Sequence, residues 1–163
     1  MITKATFGAG CFWHVEEVFF KTKGVVETEV GFRGGDEKGF LNPSYKDVCE
    51  GNTGYAEVVH LKFDDKKISY SDLLKIFFTS HDPTQFYKQG PDIGGQYRSV
   101  IFYYTPEQKK IADKTKKDYQ KKTKEKIVTE IVKAGKFVRA EKHHQKYFKK
   151  HPLVCRINNI FGK

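Results

Sequence analysis

The apolar residues of this chain switch repeatedly between two spacings, one that suits strands and one that suits helices. After a short strand-like run at 3–7, Phe12, Val15, Glu16 and Phe19 recur every three to four residues. That spacing predicts a helix from 11 to about 22, which Gly24 stops. Residues 25–32 alternate, with Val26, Thr28, Val30 and Phe32 on one face, and so do residues 55–63; both read as strands. Between them, 34–43 is turn-forming and 45–50 reads as a short helical piece. Residues 71–80 form an apolar-faced helix with a Ser N-cap. Residues 81–96 read as a long structureless segment and 99–104 as a buried strand. Thr105, Pro106 and Gln108 then start a helix that runs to about 124. A strand at 127–133 and a helix at 141–149 follow, and Pro152 opens an irregular tail from about 151.

Strands and helices mix without a strict βαβ repeat, and no internal repeat or low-complexity linker interrupts them. The expectation is a single α+β domain over 1–163. Its mixed, mostly antiparallel sheet would be packed by helices in two layers, as a ferredoxin-like core. A chain of 163 residues with 15% aromatics can build one core of this kind. No window spans a bilayer and no secretory signal is visible, so no membrane partner and a cytoplasmic location are expected.

Charge adds less than its size suggests. The net charge is +10, but nine of the eighteen residues from 109 to 126 are lysine, and Asp113, Asp118 and Glu125 interrupt them. With few aromatics interleaved, this is the solvated face of a helix, and no nucleic-acid partner is expected. Cys11, Cys49 and Cys155 are too far apart for a Cys-x-x-Cys pair, and their odd number leaves a free thiol. No metal is expected, because no cysteines or histidines combine at ligand spacing.

Chemistry concentrates at Gly8-Ala9-Gly10-Cys11-Phe12-Trp13-His14. Between a strand end and a helix start, the Cys11 sulfur would lie near free backbone N–H groups. Such surroundings lower a thiol pKa to between about 3.5 and 7.5. Phe12 and Trp13 leave the helix start in different directions, so at least one can line an apolar pocket beside the thiol. Glu57 shares a strand face with Tyr55 and Val59. If that face is inward, burial raises its pKa and keeps a protonated acid near neutral pH. A cysteine hydrolase or acyltransferase with His81 or His144 as base is the alternative chemistry.

Six stretches in order bring in a resemblance. They are Gly10-Cys11-Phe12-Trp13 with Glu16, Asn42-Pro43-Ser44-Tyr45, Val48 through Glu57, His81-Asp82-Pro83-Thr84, Asp92 through Ser99, and His144 through Phe148. Together they resemble the A-type peptide methionine sulfoxide reductases, over essentially the whole chain. The resemblance implies that Cys11 attacks the sulfur of methionine S-sulfoxide and becomes a sulfenic acid. It implies that Glu57 protonates the leaving oxygen, Tyr45 and Tyr97 hydrogen-bond it, Asp92 orients the site, and Phe12 and Trp13 form the methyl pocket. Cys155, with Cys49 as backup, would close a disulfide that thioredoxin reduces, with no cofactor. A monomer is expected. The chain departs from the family at His14, where glycine is usual, and in a tail that lacks the family's glycines.

Overall fold

A computed structural model of the chain describes residues 1–153. Strand β1 (Ile2–Ala9) leads into helix α1 (Phe12–Phe20), then β2 (Val25–Arg33), a short α2 (Tyr45–Cys49) and β3 (Ala56–Asp64). Helix α3 (Tyr70–Thr79) is followed by β4 (Lys88–Gln89), β5 (Asp92–Ile93) and β6 (Ser99–Tyr103). Helix α4 (Pro106–Gln120), β7 (Glu130–Lys133), β8 (Val138–Arg139) and α5 (Tyr147–Lys150) complete the order. Among the described residues the main sheet has six strands in the order β7-β6-β1-β3-β2-β8. All neighbours are antiparallel except β6 and β7. Its inner strands, β6-β1-β3-β2, are linked through α1 and α3 in the split βαβ pattern of a ferredoxin-like α+β fold, as expected.

Strand alternation divides the sheet into two unequal faces. Phe7, Val30, Phe32, Val59, Leu61 and Phe63 join the large core under the helices. There Phe7 meets Phe19 of α1 at 5.2 Å and Phe77 of α3 at 5.3 Å between ring centres. Ala56, Val58, Val100 and Phe102 form a smaller cluster on the other face, covered by Ala134 and Phe137. Helix α4 starts as its sequence demands, with the Thr105 side chain accepting from Gln108 N–H and Pro106 in the first turn. Its lysines form a solvated face in which Lys109 pairs with Asp113 at 2.7 Å and Lys114 with Asp118 at 3.5 Å.

Four elements differ from the sequence expectation. The serine that caps α3 is Ser69, whose hydroxyl accepts Asp72 N–H at 3.0 Å, so the helix begins before Ser71. Within 81–96 the chain folds the hairpin β4–β5, with Gln89 opposite Asp92, and a 3₁₀ turn at Gly95–Tyr97. Only Glu130–Lys133 of the strand placed at 127–133 pairs with β6. The helix placed at 141–149 is broken into a 3₁₀ turn, Lys142–His144, and α5. Lys146 stands between them at φ 53°, in the left-handed region. Its backbone N–H is taken by Glu16 Oε1 at 2.6 Å, so it is withheld from a helical bond. Cys155 and most of the expected irregular tail lie outside the described residues.

Candidate active site

Strand β1 delivers the thiol to the helix start through Gly10, whose φ of 99° and contact with Gln89 leave no room for a side chain. A Cβ there would stand 2.9 Å from the Gln89 side chain. Cys11 follows as the N-cap of α1, half-buried. Glu57 reaches the same point from β3. It lies opposite Phe32 in the β2 register, is 1% exposed, and accepts Phe12 N–H on Oε1 at 3.1 Å. Its other oxygen, Oε2, is buried and has no hydrogen-bond partner among the described residues. An unpaired oxygen in such a place favours the neutral acid. Burial pushes the Glu57 carboxyl up to about 8, opposed by the Phe12 N–H and reinforced by the charge of Asp92. The sequence left open whether this face is inward, and the structure shows that it is.

The thiol runs the other way from its expectation. Cys11 is not activated by the helix start; its pKa is pushed up to about 12. Burial is the largest cause and the Glu57 charge the next, and both outweigh the N–H groups of Trp13 and His14, which pull it down. A nine-residue helix supplies only a partial positive charge at its end, while removing a thiolate from water costs more. In the free protein at neutral pH, thiol and carboxyl both hold their protons.

The other expected residues within the described part of the chain gather around this pair. Tyr45 opens α2 behind a Ser44–Asp47 capping box, and Tyr97 closes the 3₁₀ turn after β5; both are half-buried. Burial and the Glu57 charge raise the pKa of each hydroxyl, so both stay hydrogen-bond donors. Asp92 sits across the β4–β5 hairpin from the glutamine that packs on Gly10, and its charge acts on Cys11, Glu57, His14 and Tyr97. Cys49, one turn along α2 from Tyr45, is exposed and interacts with the Tyr45 hydroxyl. Phe12 is fully buried and Trp13 half-buried. Phe12 packs on Phe32 at 5.7 Å and on Tyr45 at 5.9 Å, so it backs the wall that Trp13 exposes. His14 is exposed and meets Phe148 edge-on at 4.8 Å.

Several side chains that complete the site stood in the sequence reading without this role: His144 through Phe148 carried part of the resemblance, and His144 was weighed only as a base. Trp13 is stacked on Tyr147 at 3.9 Å and donates its indole N–H to His144 Nδ1 at 3.1 Å. Gln145 and Lys146 lock the same segment onto β2 and α1. The stretch His144 through Phe148 was their local signal. Neither His81 nor His144 fits a base for Cys11. His81 is bound at both ring nitrogens, to Phe77 O at 2.6 Å and Ser99 Oγ at 2.8 Å, and His144 Nδ1 is occupied by Trp13. Among the described residues no group of three or more His, Cys, Asp or Glu could hold a metal ion. None of the described helices is long and apolar enough to cross a membrane.

The fold sets a thiol beside a neutral carboxylic acid, under two hydroxyl donors and an aromatic wall, which is the arrangement of a candidate cysteine active site. Comparison with known proteins gives that description its family. The family model for peptide methionine sulfoxide reductase matches residues 3–161. The chain is 51% identical over 151 residues to the peptide methionine sulfoxide reductase MsrA of Methanothermobacter thermautotrophicus, covering 91% of this chain and 88% of that protein. The crystal structure of reduced Mxr1 from Saccharomyces cerevisiae superposes with a TM-score of 0.89 at 38% identity, over 93% of this chain and 86% of that one. Mxr1 in complex with Trx2 superposes with a TM-score of 0.62 at 25% identity, over 90% and 84%. The chain belongs to the peptide methionine sulfoxide reductase family.

Proposed function

We propose that this protein reduces methionine S-sulfoxide, free or in proteins, to methionine, with Cys11 as nucleophile and Glu57 as proton donor. The observation that carries this reading is the buried Oε2, unpartnered among the described residues, of a carboxyl that stays protonated beside a thiol. An S=O oxygen is a strong acceptor, and a neutral acid with no other partner is the donor it needs. Tyr45 and Tyr97 supply further O–H groups to the same oxygen, Asp92 helps orient the site, and Trp13, backed by Phe12, offers the methyl group an apolar wall.

The Cys11 sulfur bonds to the sulfoxide sulfur while the oxygen takes the Glu57 proton. That hydroxyl ends on Cys11 as the sulfenic acid, and methionine departs with the electron pair. The proton lost by the thiol restores Glu57, so the balance closes within the site. Cys11 is oxidised by two electrons and the sulfoxide reduced by two. Cys155 then attacks the sulfenic sulfur, releasing water and leaving a Cys11–Cys155 disulfide, with Cys49 as the alternative partner. Thioredoxin returns both thiols by dithiol exchange, a reading supported by the solved complex of the yeast relative with Trx2. Such a cycle needs a supply of reducing equivalents, which fits the cytoplasm and a role in repairing oxidised protein.

Intact-mass analysis after one turnover without reductant tests the scheme. The mass should fall by about 2 Da as two thiols become a disulfide, and peptide mapping should find Cys11 bridged to Cys155. An unchanged mass, or methionine formed equally well by Cys11→Ser, would overturn it.

A further inference from the structure

Trp13 owes its orientation to a residue that touches no reacting atom. An indole N–H can only donate, so the 3.1 Å contact between Trp13 Nε1 and His144 Nδ1 makes Nδ1 the acceptor and places the imidazole proton on Nε2. His144 is 3% exposed. Its Nε2 is buried without a hydrogen-bond partner among the described residues, with Glu141 Oε2 3.8 Å away. Its ring lies 4.4 Å from that of Tyr45 and 5.5 Å from that of Phe12, inside the aromatic wall of the site.

The backbone around His144 is held from several directions. The Gln145 amide takes both polar groups of Val30, accepting its N–H at 2.8 Å and donating to its carbonyl at 2.9 Å. Lys146 gives its backbone N–H to Glu16 Oε1 at 2.6 Å and its ammonium to Glu16 Oε2 at 3.2 Å. A left-handed lysine persists only where its neighbours over-determine it. Two elements of the site, α1 and β2, therefore fix where Nδ1 stands, and Nδ1 fixes the indole. Tyr147 closes the other side by stacking on Trp13 within 8° of parallel.

We propose that His144 is a positioning residue for the sulfoxide site, holding the Trp13 indole through the Nε1–H···Nδ1 hydrogen bond so that it presents a fixed wall to the substrate's methyl group. The inference rests on the reading of Trp13 as that wall. It assigns His144 to substrate fit and leaves the bond-making step to Cys11 and Glu57.

The full chain carries one tryptophan, so its nitrogen-15 spectrum has a single indole N–H signal. That signal should show a coupling through the hydrogen bond to one imidazole nitrogen, and the coupling should vanish in His144→Phe. The same variant should raise KM for methionine sulfoxide by about 10-fold, the scale of one lost hydrogen bond, with kcat near the wild-type value. His144→Gln, which restores an acceptor, should recover part of that loss. No coupling in the wild-type protein would overturn the proposal, and so would an unchanged KM in a folded His144→Phe. If that variant does not fold, the wild-type coupling and the His144→Gln kinetics decide. A wild-type protein that shows the coupling but reduces no sulfoxide would instead fell the functional reading.

Discussion

Strand β3 carries two desolvated ionisable side chains that face opposite sides of the sheet, Glu57 toward the helices and His60 away from them. Burial drives both to neutrality. The carboxyl is pushed up to about 8, and the imidazole is pushed down to about 4 with help from Arg33, Lys4 and Lys62. Their surroundings then diverge. His60 Nδ1 lies 3.1 Å from Thr6 Oγ1 and 3.0 Å from the Tyr104 hydroxyl, which also takes an N–H of Arg33 at 2.8 Å. Arg33 keeps one buried nitrogen, Nε, without a partner among the described residues, but its guanidinium lies 5.4 Å from the Tyr104 ring centre and 5.3 Å from that of Phe137 and also holds the Gly135 carbonyl. Glu57 has one donor on Oε1, nothing on Oε2, and a thiol beside it. Burial sets the protonation state in both places. On the proposed reading, reactivity belongs where an open valence meets a nucleophile, and the more fully paired polar network serves as scaffold.

Exchanging the two residues' chemistry puts this contrast to its hardest test. Glu57→Gln should cut kcat/KM by about 10²–10⁴-fold with circular dichroism unchanged, whereas His60→Gln should stay near the wild-type rate. Equal losses would erase the distinction. A pH profile probes the same acid. If the doubly protonated pair is the reactant, kcat/KM should fall about tenfold per pH unit above about 8 and lose that fall in Glu57→Gln. A rate that climbs with pH up to that point would show that Cys11 must ionise first.

Stability should respond to pH with opposite signs on the two faces. Glu57 holds its proton in the folded chain between its ordinary 4.5 and about 8, so stability present below that window drains away as pH rises through it. For His60 the unfolded chain takes up the proton first, between 6.5 and about 4, so stability is lost as pH falls. Urea midpoints across pH should therefore favour Glu57→Gln over wild type increasingly at high pH, by an amount on the order of a few kcal/mol. His60→Gln should gain relative to wild type at low pH, and the reverse trend in either would contradict the assignment. The smallest expected effect is that of Tyr104→Phe. Losing a hydroxyl shared by three side chains should cost about 1–2 kcal/mol in the same melts and leave kinetics untouched.

Much of this was legible in the chain because it is local. Two-residue alternation put Glu57 on the same side as Val59, and Thr105 with Pro106 and Gln108 marked the start of α4. The Cys11–Phe12–Trp13 run marked the thiol's place at a strand–helix junction. What could not be read there depends on distant partners. The direction of the Cys11 pKa is set by burial against β3 and the β4–β5 hairpin, which no stretch around Cys11 encodes. The break at Lys146 requires Glu16, and the role of His144 requires the orientation of Trp13; each partner lies on α1, far earlier in the chain. The hairpin inside 81–96 was hidden because its strands are too short to show an alternation.

The Gln145 side chain has a consequence for how the molecule behaves in company. Among the described residues strand β2 is a sheet margin for most of its length, because β8 pairs with it only at Gly31 and Phe32. Just beyond, Val30 would present a free N–H and a half-used carbonyl, the template on which a second chain can add a strand. The carboxamide of Gln145 fills that place as a one-residue strand would, with Ala140 N–H sharing the same carbonyl at 3.0 Å. Gln145→Ala should therefore scatter light earlier on heating than any change in its unfolding midpoint explains. One amide would then serve both to place a histidine and to keep copies of this protein from joining edge to edge.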